Sequence, residues 1–166
     1  MHFGTFMGVF WIFKFIFFPL GMRYPALLFV FIGLTIYVPF LGYRYGKVFR
    51  NKVCRGTLSF FQSWIFLVFM YMFAALLTAV AHYIYFRFLD KGFVIQTYTH
   101  MMEMWTTIDL PAFQPYVEQM EETIQQVRSL TPIQITMQLL SSNVLYCSII
   151  ALITAPFLMK NKPQSN

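Results

Sequence analysis

Four apolar runs on the scale of a bilayer's hydrocarbon layer constrain this chain more than any other feature. They fall at residues 3–20, 26–41, 57–86 and 133–159. At 1.5 Å per residue the first, as helix, spans about 27 Å, just enough to cross a ~30 Å hydrocarbon layer. The third spans roughly 45 Å, so it must tilt, begin at the interface or project into water. A backbone in hydrocarbon has no water to bond and must satisfy itself, so these runs predict helices. Composition agrees: 58% of the 166 residues are hydrophobic and only 11% are charged, where soluble domains have about 25%. The expected fold is a single all-α integral membrane domain with four transmembrane helices.

The stretch Tyr43–Arg55, YRYGKVFRNKVCR, lies between the second and third runs. It carries Arg44, Lys47, Arg50, Lys52 and Arg55, five of the twelve basic residues, and no acid. The positive-inside rule places such a segment in the cytoplasm, and residues 43–56 are read as a cytoplasmic basic loop. All six acids fall between Asp90 and Glu122, and Lys160 and Lys162 follow the last apolar run. Charge so distributed marks topology and excludes a nucleic-acid surface. Seven basic residues fall inside on this reading. Arg23, Arg87, Lys91 and Arg128 fall outside, and Lys14 lies in the membrane. The balance favours both termini in the cytoplasm, N-in/C-in, in a bacterial inner membrane. Cys54 and Cys147 lie at different depths, which argues against a disulfide. The first ten residues lack a basic n-region, so the first run is read as a retained helix.

Gly4 and Gly8 share a helix face with the spacing that lets helices approach closely. Residues 21–25, GMRYP, form a tight turn, making the first two helices an antiparallel hairpin. The hydrophilic region 87–132 is expected outside the cytoplasm. Within it Leu110, Phe113, Val117, Met120, Ile124 and Val127 recur at three- and four-residue intervals, with Glu118, Glu121, Glu122 and Gln125 opposite. Asp109 suits the N-cap of this helix and Pro111 its first turn. A helix with one apolar stripe must cover it. The candidates are the membrane surface, the upstream stretch 93–105, or another chain.

With these segments laid out, Phe40–Trp64, FLGYRYGKVFRNKVCRGTLSFFQSW, resembles an uncharacterised bacterial family of short four-helix integral membrane proteins, a DUF4199-like domain of unknown function. The likeness rests on Tyr43, Arg44, Gly56, Ser59 and Phe60 around the turn into a long third helix. AHYIYFRF at 81–88, the Glu- and Met-rich helix after it, and the closing ALITAPFLMK extend it over nearly the whole chain. Lys14 and the abundance of phenylalanine depart from the pattern. The resemblance implies no activity. It does imply a partner, a glycosyltransferase resembling polyprenyl-phosphate sugar synthases.

Lys14 is the most informative single residue, because a charge in mid-span costs about 2.5–3.5 kcal/mol on insertion scales. No Asp or Glu lies in any of the four runs. Lys14 therefore snorkels to water, meets carbonyls, Gln62, Asn143, a lipid phosphate or another subunit's carboxylate, or serves transport. The basic residues 44–55 are a topology signal, an anionic-lipid contact or a partner contact. His100 and Glu103 read as a surface pair, and His82 as part of an interfacial aromatic cluster. No Ser-His-Asp arrangement, glycine-rich phosphate loop or cysteine metal spacing occurs, so neither an enzyme nor a cofactor is expected. Two functions compete: a non-catalytic subunit that anchors or organises a partner, and an oligomeric translocator of lipid-linked or amphipathic substrates. Membrane lipids and a protein partner or homo-oligomer are the expected contacts.

Overall fold

The computed structural model describes residues 2–106 and 114–160. The described chain is helical: α1 His2–Arg23, α2 Ala26–Lys52, α3 Phe60–Ile84, α4 Phe93–Thr106, α5 Gln114–Ser129 and α6 Pro132–Leu158. A π-helical turn, Tyr85–Leu89, continues α3. The β pairing among the described residues is a single antiparallel bridge between Leu58 and Lys160. Four helices are long and apolar enough to cross a membrane: α1, α2, α3 with its π-helical turn, and α6. The chain is thus built as a multi-pass membrane protein.

Two compact units divide it. The first holds α1, α2, α3 up to Val80 and α6 from Leu139 onward. α3 supplies much of its core, with Ser63, Leu67, Met70, Tyr71, Ala74, Ala75 and Thr78 buried along one side. α6 adds Cys147, Ala151 and Ala155, small residues four apart on one face, then Leu158. Small residues let helices approach where lipid supplies no hydrophobic drive between them. The Gly4–Gly8 face does lie against α3: a Cβ at Gly4 would come within 2.9 Å of Phe73, and one at Gly8 within 2.8 Å of Leu77. Large apolar side chains cover the outside, Phe29 at 77% and Phe157 at 71% exposure among them. Such a surface suits lipid and not water.

The basic stretch is not the loop that composition suggests. α2 passes through residues 43–52 unbroken and ends at Lys52. The reason is an amphipathic face that continues beyond the apolar run. Gly42, Tyr45, Gly46 and Phe49 recur at helical spacing and face the core, while Arg44 and Lys47 point outward. Phe49 stacks on Phe66 of α3 at 4.0 Å, and Tyr45 meets Phe3 of α1 at 5.7 Å. The hydroxyl of Tyr71 and the side chain of Leu158 occupy the space a Cβ would need at Gly42 and Gly46. Arg50 and Lys52 in the last turn complement the helix dipole. The chain then reverses through Arg55 and Gly56, both at positive φ, with the Gly56 amide donating to the Arg50 carbonyl at 2.9 Å. α1 likewise runs past Pro19 to Arg23, and α3 starts only at Phe60. That start is a capping box: the Gln62 side chain accepts from the Ser59 amide at 3.1 Å while the Ser59 hydroxyl accepts from the Gln62 amide at 3.3 Å.

The second unit comprises residues 81–138. Both carboxylate oxygens of Asp90 accept backbone amides, from Gly92 and Val94 at 3.1 Å, and so cap the start of α4. α4 and α5 pack together, and Arg128 of α5 donates to the Thr99 hydroxyl of α4 at 3.0 Å. The stripe on α5 is real: Ile124 is buried, Val117, Met120 and Val127 are half-buried, and Glu118, Glu121, Glu122 and Gln125 are exposed. Of the three covers considered for it, the upstream helix α4 packs on α5. Leu110, Phe113, Asp109 and Pro111 lie outside the described residues. Thr131 opens α6, its amide and hydroxyl both donating to Gln134 Oε1 at 2.8 Å.

Candidate functional site

Two constellations in the first unit bear on function. The first surrounds Lys14, which is half-buried in α1. Trp11 stands one turn before it on the same face, and the ammonium lies 5.6 Å from the Trp11 ring centroid. Phe31 of α2 faces it from the other side at 5.3 Å. Lys14 makes no hydrogen bond or ion pair among the described residues; its partners are the two π faces. Each contact contributes about 0.5–1 kcal/mol where water is near. Two of them offset part of the roughly 2.5–3.5 kcal/mol insertion cost and leave the charge itself unneutralised.

Behind Lys14 the cluster deepens. Trp11 stacks on Tyr71 of α3 at 6.1 Å and 20° between planes. Trp11 is 4% and Tyr71 1% exposed, yet neither the indole Nε1 nor the phenol hydroxyl has a hydrogen-bond partner among the described residues. Buried polar atoms left unpaired are rare in folded proteins and call for a cause. Cys147 of α6 belongs to the same buried core cluster as Trp11 and Tyr71. Three helices, α1, α3 and α6, so bring together groups that can donate, beside the Phe31 ring of α2. Of the polar partners foreseen for Lys14, Gln62 is spent on capping α3, and no bond reaches Asn143. Trp11, Phe31, Tyr71 and Cys147 were not foreseen. Only Trp11, three residues from Lys14, left a signal in the sequence.

The second constellation is the basic end of α2. Arg44, Lys47, Lys52 and Arg55 are exposed. Arg50 is set apart from them: its guanidinium donates to the Leu158 carbonyl at 3.1 Å and to Asn51 Oδ1 at 3.2 Å. The last carbonyls of a helix lack intrahelical partners, and a cation there also meets the negative end of the dipole. Arg50 thus caps α6. The adjoining Leu58–Lys160 bridge, with N–H···O distances of 3.0 and 2.9 Å, ties the same helix end to the segment before α3.

Several hydroxyls of the spans bond within their own helices. The hydroxyls of Ser63, Thr78, Thr136, Ser148 and Thr154 each donate to the carbonyl four residues back, at 2.7–2.9 Å. His100 and Glu103 form an exposed pair at 3.8 Å. No group of three His, Cys, Asp or Glu that could hold a metal ion occurs among the described residues.

A family model described as a protein of unknown function, DUF4199, matches residues 2–160. The chain belongs to this family. The DUF4199 match takes in all four candidate spans, the basic helix end and the α4–α5 pair, so both constellations lie within it. No curated protein and no solved structure matches the chain.

Proposed function

We propose that this DUF4199 protein is a non-catalytic, multi-pass subunit of the bacterial inner membrane that anchors or organises a partner protein. The reading carries an N-in/C-in topology, with the basic end of α2 in the cytoplasm and the α4–α5 region outside. One observation carries it. Arg44, Lys47, Lys52 and Arg55 project from a helix end that Arg50 and the Leu58–Lys160 bridge latch to α6. Charges held on a fixed scaffold engage an acidic surface at low ordering cost, and they set encounter rate and specificity. A membrane-bound glycosyltransferase of the polyprenyl-phosphate type is the partner the family resemblance suggests.

The test is co-purification in mild detergent at native expression, comparing the wild type with Arg44→Glu/Lys47→Glu/Lys52→Glu. Retention of a stoichiometric partner by the wild type and its loss from the variant are expected. A lone monomer, or a partner retained equally by both proteins, would overturn the proposal. The translocator reading draws on the donor cluster at Lys14. It is the weaker because the hydroxyls of Ser63, Thr78, Thr136, Ser148 and Thr154 are committed to their own helices.

A further inference from the structure

The donor cluster around Lys14 has a charge to neutralise and no group of its own to do it. Lys14 offers three N–H donors, Trp11 one and Tyr71 one, while Tyr71 supplies the one ordinary oxygen acceptor among them. The cluster reaches the surface of the unit at Lys14, which is half-buried, whereas Trp11 and Tyr71 behind it are sealed. The missing counterpart is an anion with more than one acceptor lone pair.

Where that anion resides follows from sequence and depth. All acids of this chain lie between Asp90 and Glu122, and none falls within α1, α2 or α6 or in α3 with its π-helical turn. A second copy of the chain therefore brings no carboxylate to the level of Lys14. Lipid phosphates lie beyond the edge of the hydrocarbon. Lys14 stands about 18 Å along α1 from its first residue and about 13 Å from its last, in the interior of the helix. A carboxylate on a helix that itself crosses the membrane meets the requirement of depth. Within hydrocarbon an unpaired carboxylate and an unpaired ammonium are each costly, so each supplies what the other lacks.

We propose that Lys14, backed by Trp11 and Tyr71, receives a carboxylate carried at matching depth by a transmembrane helix of a different protein. The inference rests on the subunit reading above and specifies the chemistry of the partner's membrane segment. It makes Lys14 the point of recognition inside the bilayer, separate from the basic end of α2.

The test uses the full-length protein in phosphatidylcholine vesicles and a labelled leucine-rich transmembrane peptide with Asp, Asn or Leu at its centre. Association is read by energy transfer. The Asp peptide is expected to associate roughly threefold to tenfold more strongly than the Leu peptide, the range of intramembrane polar contacts. That preference should vanish in Lys14→Leu and persist in Lys14→Arg. Lys14→Leu removes a charge from a span, so it inserts at least as well as the wild type. Equal association of the Asp and Leu peptides, or a preference that survives Lys14→Leu, would overturn the proposal. So would loss of the Asp preference when phosphatidylglycerol is added, with that lipid enriched around the wild type and not around Lys14→Leu, because the anion would then be a lipid phosphate. None of these outcomes touches the charge-reversal result at the α2 end, so failure of this site is distinguishable from failure of the subunit reading.

Discussion

Replacing Arg50 by methionine keeps the aliphatic stem and removes one charged hydrogen bond, from the guanidinium to the Leu158 carbonyl at 3.1 Å. A bond with one ionised partner contributes about 1.5–3 kcal/mol, and a cation at a helix C-terminus adds about 0.3–1 kcal/mol. Arg50 is half-exposed, so water compensates part of the loss, and a net cost of about 1–2 kcal/mol is expected. For a chain of this size that corresponds to a fall in Tm of roughly 3–6 °C. Thermal melting of the detergent-solubilised protein measures the fall, and amide hydrogen exchange locates it. Protection should drop at Met159 and Lys160, whose amides bond to Ala155 and Leu58 at 3.2 and 2.9 Å. Arg50→Lys should recover part of the loss. Arg44→Met, at an exposed neighbour on the same helix end, should move Tm by less than about 1 °C. Equal shifts for Arg50→Met and Arg44→Met, or unchanged exchange after Leu158, would refute the argument that Arg50 latches α6.

Two further outcomes follow from packing. Gly42→Ala places a methyl group where the Tyr71 hydroxyl sits and should destabilise by about 1–3 kcal/mol. Tyr71→Phe removes that hydroxyl and should rescue most of the loss, read as a coupling between the two variants in thermal melts. In the second unit Ile124→Ala should cost about 2–4 kcal/mol of local stability and lower hydrogen-exchange protection in both α4 and α5. Glu121→Gln on the exposed face should leave that protection unchanged.

The four spans could be read from the chain because hydrocarbon admits few alternatives to a continuous apolar helix. Their ends could not. Hydropathy marks where lipid stops, but hydrogen bonding decides where a helix stops. α2 therefore continues from Leu41 to Lys52 on the packing of Tyr45 and Phe49 and breaks where Arg55 and Gly56 reverse the chain. Arg50 could not be told apart from the other four basic residues for the same reason. The bond that sets Arg50 apart from Arg44 as a latch is to Leu158, a contact 108 residues away that no local pattern encodes. The α5 stripe was legible from spacing alone, since Val117, Met120, Ile124 and Val127 all lie on the covered side. Its cover was legible only as one of three options, because periodicity names a face and not its mate. Lys14 was legible as the one Lys or Arg within an apolar run. Its aromatic neighbours were not, since Phe31 belongs to another helix and a ring gives no donor–acceptor signal.

The 108-residue separation of Arg50 and Leu158 also sets an order of events during biosynthesis. The basic end of α2 is complete as sequence long before its latch exists. At about 5–20 residues per second, translation needs roughly 5–20 s to reach the carbonyl that Arg50 holds. Throughout that interval Arg50 has no helix end to cap, and it contributes its charge to the same unlatched cluster as Arg44, Lys47, Lys52 and Arg55. On the proposed topology, five free cations are present while the early helices are oriented, and four remain exposed once α6 arrives. Arg50 then passes from the free cluster to the architecture of the bundle, and the arrival of the last helix is the event that separates the two.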